Sequence, residues 1–227
     1  MGKMVYRRDL LGLAGLAPLA TRPAGGQVIE FESGGLRYLT QTRGGVTVMF
    51  AQLPLLIREY AVIQVAISNG SNRLASFRPQ DFRFFPAGGG APVQGMEARA
   101  VVEEFMRSGG REDVIKLVTA YENGLYGMIK PKSTSGYEQR RQSVMAEMTS
   151  TRLKAAAAAS AIVLVAVKLK PGESTDGAVF FPNAGRPLGA GKLTAESAGV
   201  QFHFETLPDP SNDPPTSPLP PARRGGR

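Results

Sequence analysis

The chain has 227 residues and a formal net charge of +8, with one histidine, no cysteine and no tryptophan. The lack of cysteine excludes disulfides, thiolate metal sites, iron–sulfur clusters and cysteine nucleophiles, and a lone histidine leaves little for metal ligation, so no cofactor is expected. The charge is spread out: the first 25 residues carry +3, the last 20 carry +1, and the +4 on the body is too dilute, and too poor in interleaved aromatics, for a nucleic-acid surface.

Residues 1–25 read as an export leader. Arg7-Arg8 stand directly before the weakly apolar run 10–20, the order of a charged n-region followed by an h-region. Arg7-Arg8-Asp9-Leu10-Leu11 resembles the twin-arginine signals of bacteria, and Arg22, a charge placed after the apolar run, also suits that route. The resemblance implies a periplasmic or secreted protein and gives receptor recognition to Arg7, Arg8, Leu10 and Leu11. The apolar run falls well short of the ~20 residues that a spanning helix needs, so no transmembrane span is expected in the mature chain.

From residue 27 the pattern is short β segments punctuated by glycine. Residues 27–32 carry Ile29 and Phe31 on one face, and residues 36–42 follow a Gly34-Gly35 turn. Val46, Val48 and Phe50 alternate after Gly44-Gly45. Residues 60–68 form the strongest strand, with Ile63 and Val65 expected in the core and Gln64 on the opposite, tolerant side, before a hairpin-type stop at Asn69-Gly70-Ser71-Asn72. Arg78-Pro79-Gln80-Asp81 leads into a strand bearing Phe82 and Phe84, which ends at Pro86 and Gly88-Gly89-Gly90.

The period then changes to that of helices. Val101, Val102, Phe105 and Met106 recur at helical spacing, as do Val114, Ile115, Leu117, Val118 and Tyr121, with Gly109-Gly110 between the two helices and Asn123-Gly124 after the second. A third helix is expected from about residue 137 into the alanine-rich stretch 155–161, where helix propensity is highest. The β-branched residues 162–167 fit either the end of that helix or a buried strand. The β pattern returns at Lys170-Pro171-Gly172, in residues 178–182 and in residues 200–206, where Phe202 and Phe204 alternate with Gln201, His203 and Glu205. Residues 208–227 are Pro, Ser, Asp and Arg with little to bury and read as a disordered tail.

Short strands at turn-marked intervals argue for a two-sheet sandwich. Val62-Ile63-Gln64-Val65-Ala66-Ile67-Ser68-Asn69, Arg78-Pro79-Gln80-Asp81-Phe82-Arg83-Phe84, and Leu169-Lys170-Pro171-Gly172-Glu173 with Gly177-Ala178-Val179-Phe180-Phe181-Pro182 resemble bacterial extracytoplasmic immunoglobulin-like modules. The resemblance covers roughly a third of the body and implies a fold and an envelope location, but no reaction.

No catalytic residue is assigned. His203 sits with Gln201 and Glu205 on the strand face opposite Phe202 and Phe204, which reads as a wet face. No Gly-x-Ser-x-Gly or Ser-x-x-Lys spacing occurs, the glycine runs lack a phosphate-loop context, and Met96, Met106, Met128, Met145 and Met148 read as core filling. Arg140, Arg141, Arg152 and Lys154 form a basic stripe on the third helix and a possible interface. The sequence therefore leads to an exported immunoglobulin-like β-sandwich over residues 26–207 with a mostly helical insertion at about 93–165. Its expected function is non-enzymatic binding or scaffolding in the bacterial envelope, with another envelope protein as partner through the insertion. Capture of an anionic glycan or lipid, and hydrolysis at an unrecognised carboxylate site, are the alternatives.

Overall fold

The structure, a computed structural model, describes residues 26–127 and 150–206. The expected leader with Arg7, Arg8, Leu10 and Leu11, the tail over 208–227, and Arg140 and Arg141 lie outside the described residues.

The protein is mainly β, with antiparallel pairing throughout its ladders. The first sheet opens as a meander of β1 (Val28–Ser33), β2 (Leu36–Arg43), β3 (Val46–Ile57) and β4 (Tyr60–Asn69), and β9 (Ser174–Pro182) completes it beside β4. Each hairpin of the meander closes on two residues. Gly34-Gly35 and Gly44-Gly45 hold the positive φ values that such turns require, and Arg58 takes the same left-handed region at φ 59°. Beyond its expected end at Phe50, β3 continues through a register shift between Gln52 and Leu56. Exposed Pro54, which has no N–H to give to a ladder, stands within that irregular stretch.

The chain does not turn back as a hairpin after β4. Asn69 is fully buried there, and its side-chain amide donates to the carbonyls of Arg73 at 2.7 Å and Leu169 at 2.9 Å while its Oδ1 accepts from the Ser71 backbone. This pins the crossover into β5 (Ala75–Phe77), which pairs with β8 (Val167–Leu169). A single 3-10 turn (Pro79–Asp81) follows, then β6 (Phe82–Pro86) and the two-residue β7 (Val93–Gln94). With β10 (Gly191–Ser197) and β11 (Val200–Thr206) these form a four-stranded sheet in the order β11-β10-β6-β7. Strand β10 is an addition to the elements expected from the sequence. The two sheets face each other across Leu39, Val48, Phe50, Ile63, Val65 and Phe181 on one side and Phe82, Phe84, Leu193, Phe202 and Phe204 on the other, the packing of a β-sandwich.

Between β7 and β8 lie α1 (Ala98–Ser108), α2 (Arg111–Gly127) and α3 (Thr151–Ile162). Helix α2 runs through Asn123-Gly124 rather than stopping before them. Helix α3 ends at Ile162. Val163 then bridges to Ala178, and the Leu164 N–H donates to the Ala178 carbonyl at 2.8 Å, which settles the helix-or-strand ambiguity of residues 162–167 and covers the outer edge of β9. The helices cover the other face of the five-stranded sheet. Val101, Phe105, Leu117 and the alanines of α3 pack on Tyr38, Ala51, Tyr60, Val62, Ala66, Ala178 and Phe180. Phe105, Tyr60 and Phe180 meet at ring-centroid distances of 6.0 to 6.4 Å.

One expectation is overturned here. Gln64 does not face water: it is fully buried, on the side of β4 that carries Val62 and Ala66. Strand β4 is covered by the second sheet on one face and by helices on the other, so both sets of its alternating side chains are interior.

Candidate functional site

Alternation in the four-stranded sheet sends Phe82, Phe84, Leu193, Ala195, Phe202 and Phe204 inward. Their neighbours along each strand must therefore point away from the core. Antiparallel register arranges those outward residues in rows. His203, Thr194, Arg83 and Gln94 share the central row, Glu205, Lys192 and Phe85 lie on one side of it, and Gln201 and Glu196 lie on the other. Of these, Arg83, Phe85, Lys192, Thr194, Glu196, Gln201 and His203 line a cleft of about 400 Å³ together with Asp81 of the 3-10 turn.

Several of the groups are already committed. The Asp81 carboxylate accepts the Arg78 backbone N–H at 2.8 Å and the Arg78 guanidinium at 2.8 Å. Thr194 Oγ1 donates to the Arg83 carbonyl at 3.4 Å. Arg83 and Lys192 make no ion pair among the described residues, and Phe85 stays 40% exposed on an otherwise polar surface.

His203 is less exposed than a wet strand face implies. At this edge β2 of the other sheet runs beside β11. Gln41 spans the seam, its Oε1 accepting the His203 backbone N–H at 3.0 Å and its Nε2 donating to the Gly26 carbonyl at 2.6 Å. His203 Nδ1 and Arg43 Nε are both buried without a hydrogen-bond partner among the described residues. Burial holds the imidazole pKa below its ordinary value, Lys192 and Arg43 lower it further, and Glu205 acts weakly in the opposite direction.

No Ser or Tyr hydroxyl stands on the central row beside His203, and Thr194, its cross-strand neighbour, is held by a backbone carbonyl. Of the two carboxylates, Asp81 is tied by Arg78, which leaves Glu196 without a partner for paired acid and base work. No group of three or more metal-ligating side chains converges among the described residues.

Of the sequence-derived interface residues, the two described ones lie elsewhere. Arg152 and Lys154 occupy the first turn of α3, Arg152 exposed and Lys154 half-buried, just before the buried run of alanines. The structure does not bring them to the cleft. Reading each strand alone missed the cleft, because its lining comes from three strands and includes β10. The available signal was the alternation of Lys192, Thr194 and Glu196 with Leu193, Ala195 and Ser197.

The chain matches no protein-family model and no curated protein. Among solved structures it is similar to the crystal structure of the yjhA protein from Bacillus subtilis, at 9% sequence identity and a TM-score of 0.33, over 78% of this chain and 95% of that chain.

Proposed function

We propose that this protein is a non-catalytic binding or scaffolding component of the bacterial envelope, exported by the twin-arginine route, and that the outer face of the β6–β10–β11 sheet is its recognition surface. The cleft carries this reading: Arg83 and Lys192, without an ion pair among the described residues, a half-exposed aromatic ring, and polar groups including Glu196 are presented together on a sheet. The described helices favour a supporting role, since α3 is buried along most of its length and α1 and α2 pack against it. An immunoglobulin-like affinity of the sandwich belongs to the same proposal. In its favour, the three resembling segments fall on β4, on the 3-10 turn with β6, and on the turn into β9.

The test uses the full chain immobilised against the solubilised envelope of its source cell. Retention at physiological salt is expected to be lost in the Arg83→Glu, Lys192→Glu double variant with an unchanged melting temperature. Retention that survives this change but fails on reversal of Arg140 and Arg141 would move the surface to the helices. Export has its own test: a reporter fused to residues 1–30 should cross the inner membrane, and Arg7→Lys with Arg8→Lys should stop it, because a receptor reads guanidinium geometry rather than charge.

A further inference from the structure

The rows across the sheet give the cleft two chemically different ends. Lys192 has Phe85 as its register partner on one side and Glu205 on the other, and Arg83 stands beside them in the next row. His203 Nδ1 on the central row and Arg43 Nε on β2 are buried without a hydrogen-bond partner among the described residues. At the opposite end Glu196 faces Gln201 across the β10–β11 ladder, with Asp81 nearby but occupied by Arg78. The cleft lining therefore offers, at one end, two cations without an ion pair among the described residues and an aromatic ring, with Glu205 just outside the lining, and at the other a carboxylate with an amide.

A ligand that satisfies all of these groups must combine an anion, a flat apolar face and several hydroxyl donors. Guanidinium and ammonium groups take a carboxylate or a phosphate through charge-assisted hydrogen bonds, and the hydroxyl-seeking groups at the other end favour the anion carried on a sugar ring. An exposed Phe ring selects a face of aliphatic C–H groups, and a carboxylate beside an amide selects neighbouring hydroxyls. A lipid tail requires an apolar groove, and a nucleic-acid strand requires a longer track of cations and stacking rings, neither of which lines this face. At about 400 Å³ the volume falls in the range of small-molecule sites.

We propose that the cleft binds an acidic saccharide, its carboxylate held by Lys192 and Arg83, one ring face packed on Phe85, and its hydroxyls donating to Glu196 and Gln201. This rests on the reading of the sheet face as the recognition surface and names what that surface takes. His203 stands on the central row beside Arg83 and Lys192, its imidazole held below its ordinary pKa by burial first and by Lys192 and Arg43 after it.

The experiment is calorimetric titration of the full chain with a panel of hexuronate tetramers, with their methyl esters, which keep the ring and remove the charge, and with inorganic phosphate. Binding of at least one uronate is expected, with the ester at least tenfold weaker. Phosphate should fail to displace the uronate at equal concentration. Lys192→Met and Phe85→Ala should each weaken binding at least tenfold without lowering the melting temperature. Equal affinity for acid and ester, displacement by phosphate, or no uronate binding would each overturn the proposal. Absence of uronate binding, with envelope retention still lost in the Arg83→Glu, Lys192→Glu variant, would remove the saccharide and leave the surface standing. Retention indifferent to that variant would remove both.

Discussion

Gln64 lies opposite Ala51 on one side and Ala178 on the other, fully buried, with neither amide atom hydrogen-bonded among the described residues. An unmet buried amide costs about 1–3 kcal/mol, so an apolar side chain of similar volume should do better. Gln64→Met is expected to raise the unfolding free energy by about 1 kcal/mol or more in denaturant melts. A loss of stability would reveal a partner for the amide. Its neighbour Ile63 points into the sandwich core, and Ile63→Ala should cost about 2–5 kcal/mol. His203 sets a pH dependence whose sign follows from its depressed pKa. Below about pH 6.5 the unfolded chain takes up a proton that the folded imidazole, facing Lys192, Arg43 and Glu205, resists. The contribution is complete above that pH and declines as pH falls toward the depressed value. His203→Gln should flatten that part of the melting-temperature profile, and an unchanged slope would show that other groups set it.

At the level of elements, the turns and close approaches are the sensitive points. The β10–β11 hairpin turns on Ala198-Gly199, and Ala198 holds φ 48°, a region costly for a residue with a Cβ. Ala198→Gly should therefore stabilise by up to about 1 kcal/mol, measured by thermal melts. Gly177 in β9 shows the reverse: an added Cβ would stand 2.7 Å from the Leu164 Cα and 2.9 Å from its nitrogen. Gly177→Ala should cost about 1–3 kcal/mol and loosen the segment that covers the edge of β9. The hairpins of the meander were legible because Gly34-Gly35 and Gly44-Gly45 announce two-residue turns between alternating runs. Strand β10 was not, since it begins at the end of a glycine-rich stretch that reads as loop. The double burial of β4 was written in its nearly continuous apolar run, but alternation with one polar residue imitates a half-exposed strand. The cleft was out of reach for a different reason. It exists only through the register of β6 against β10 and β11, and no single strand carries that information.

On the scale of the molecule, helices, five-stranded sheet and four-stranded sheet form three layers over two apolar cores. Phe105 anchors the outermost layer on Tyr60 and Phe180, with the Arg58 guanidinium 6.0 Å from its ring centroid. Phe105→Ala should cost about 3–5 kcal/mol and lower a single unfolding transition. A separate, earlier transition for helical signal alone would show that the layer is not part of the cooperative unit. The middle sheet also fixes an order of events in time. Strands β1 to β4 close as successive local hairpins, yet β4 reaches its second neighbour, β9, only more than a hundred residues later. Until β9 arrives, β4 has one open edge. Such distant pairing raises contact order and moves the rate-limiting step to the end of synthesis, giving refolding in about milliseconds to seconds rather than microseconds. A nascent chain stalled before β9 would present that edge to its neighbours, so the interval between β4 and β9 is when this protein is most exposed to aggregation.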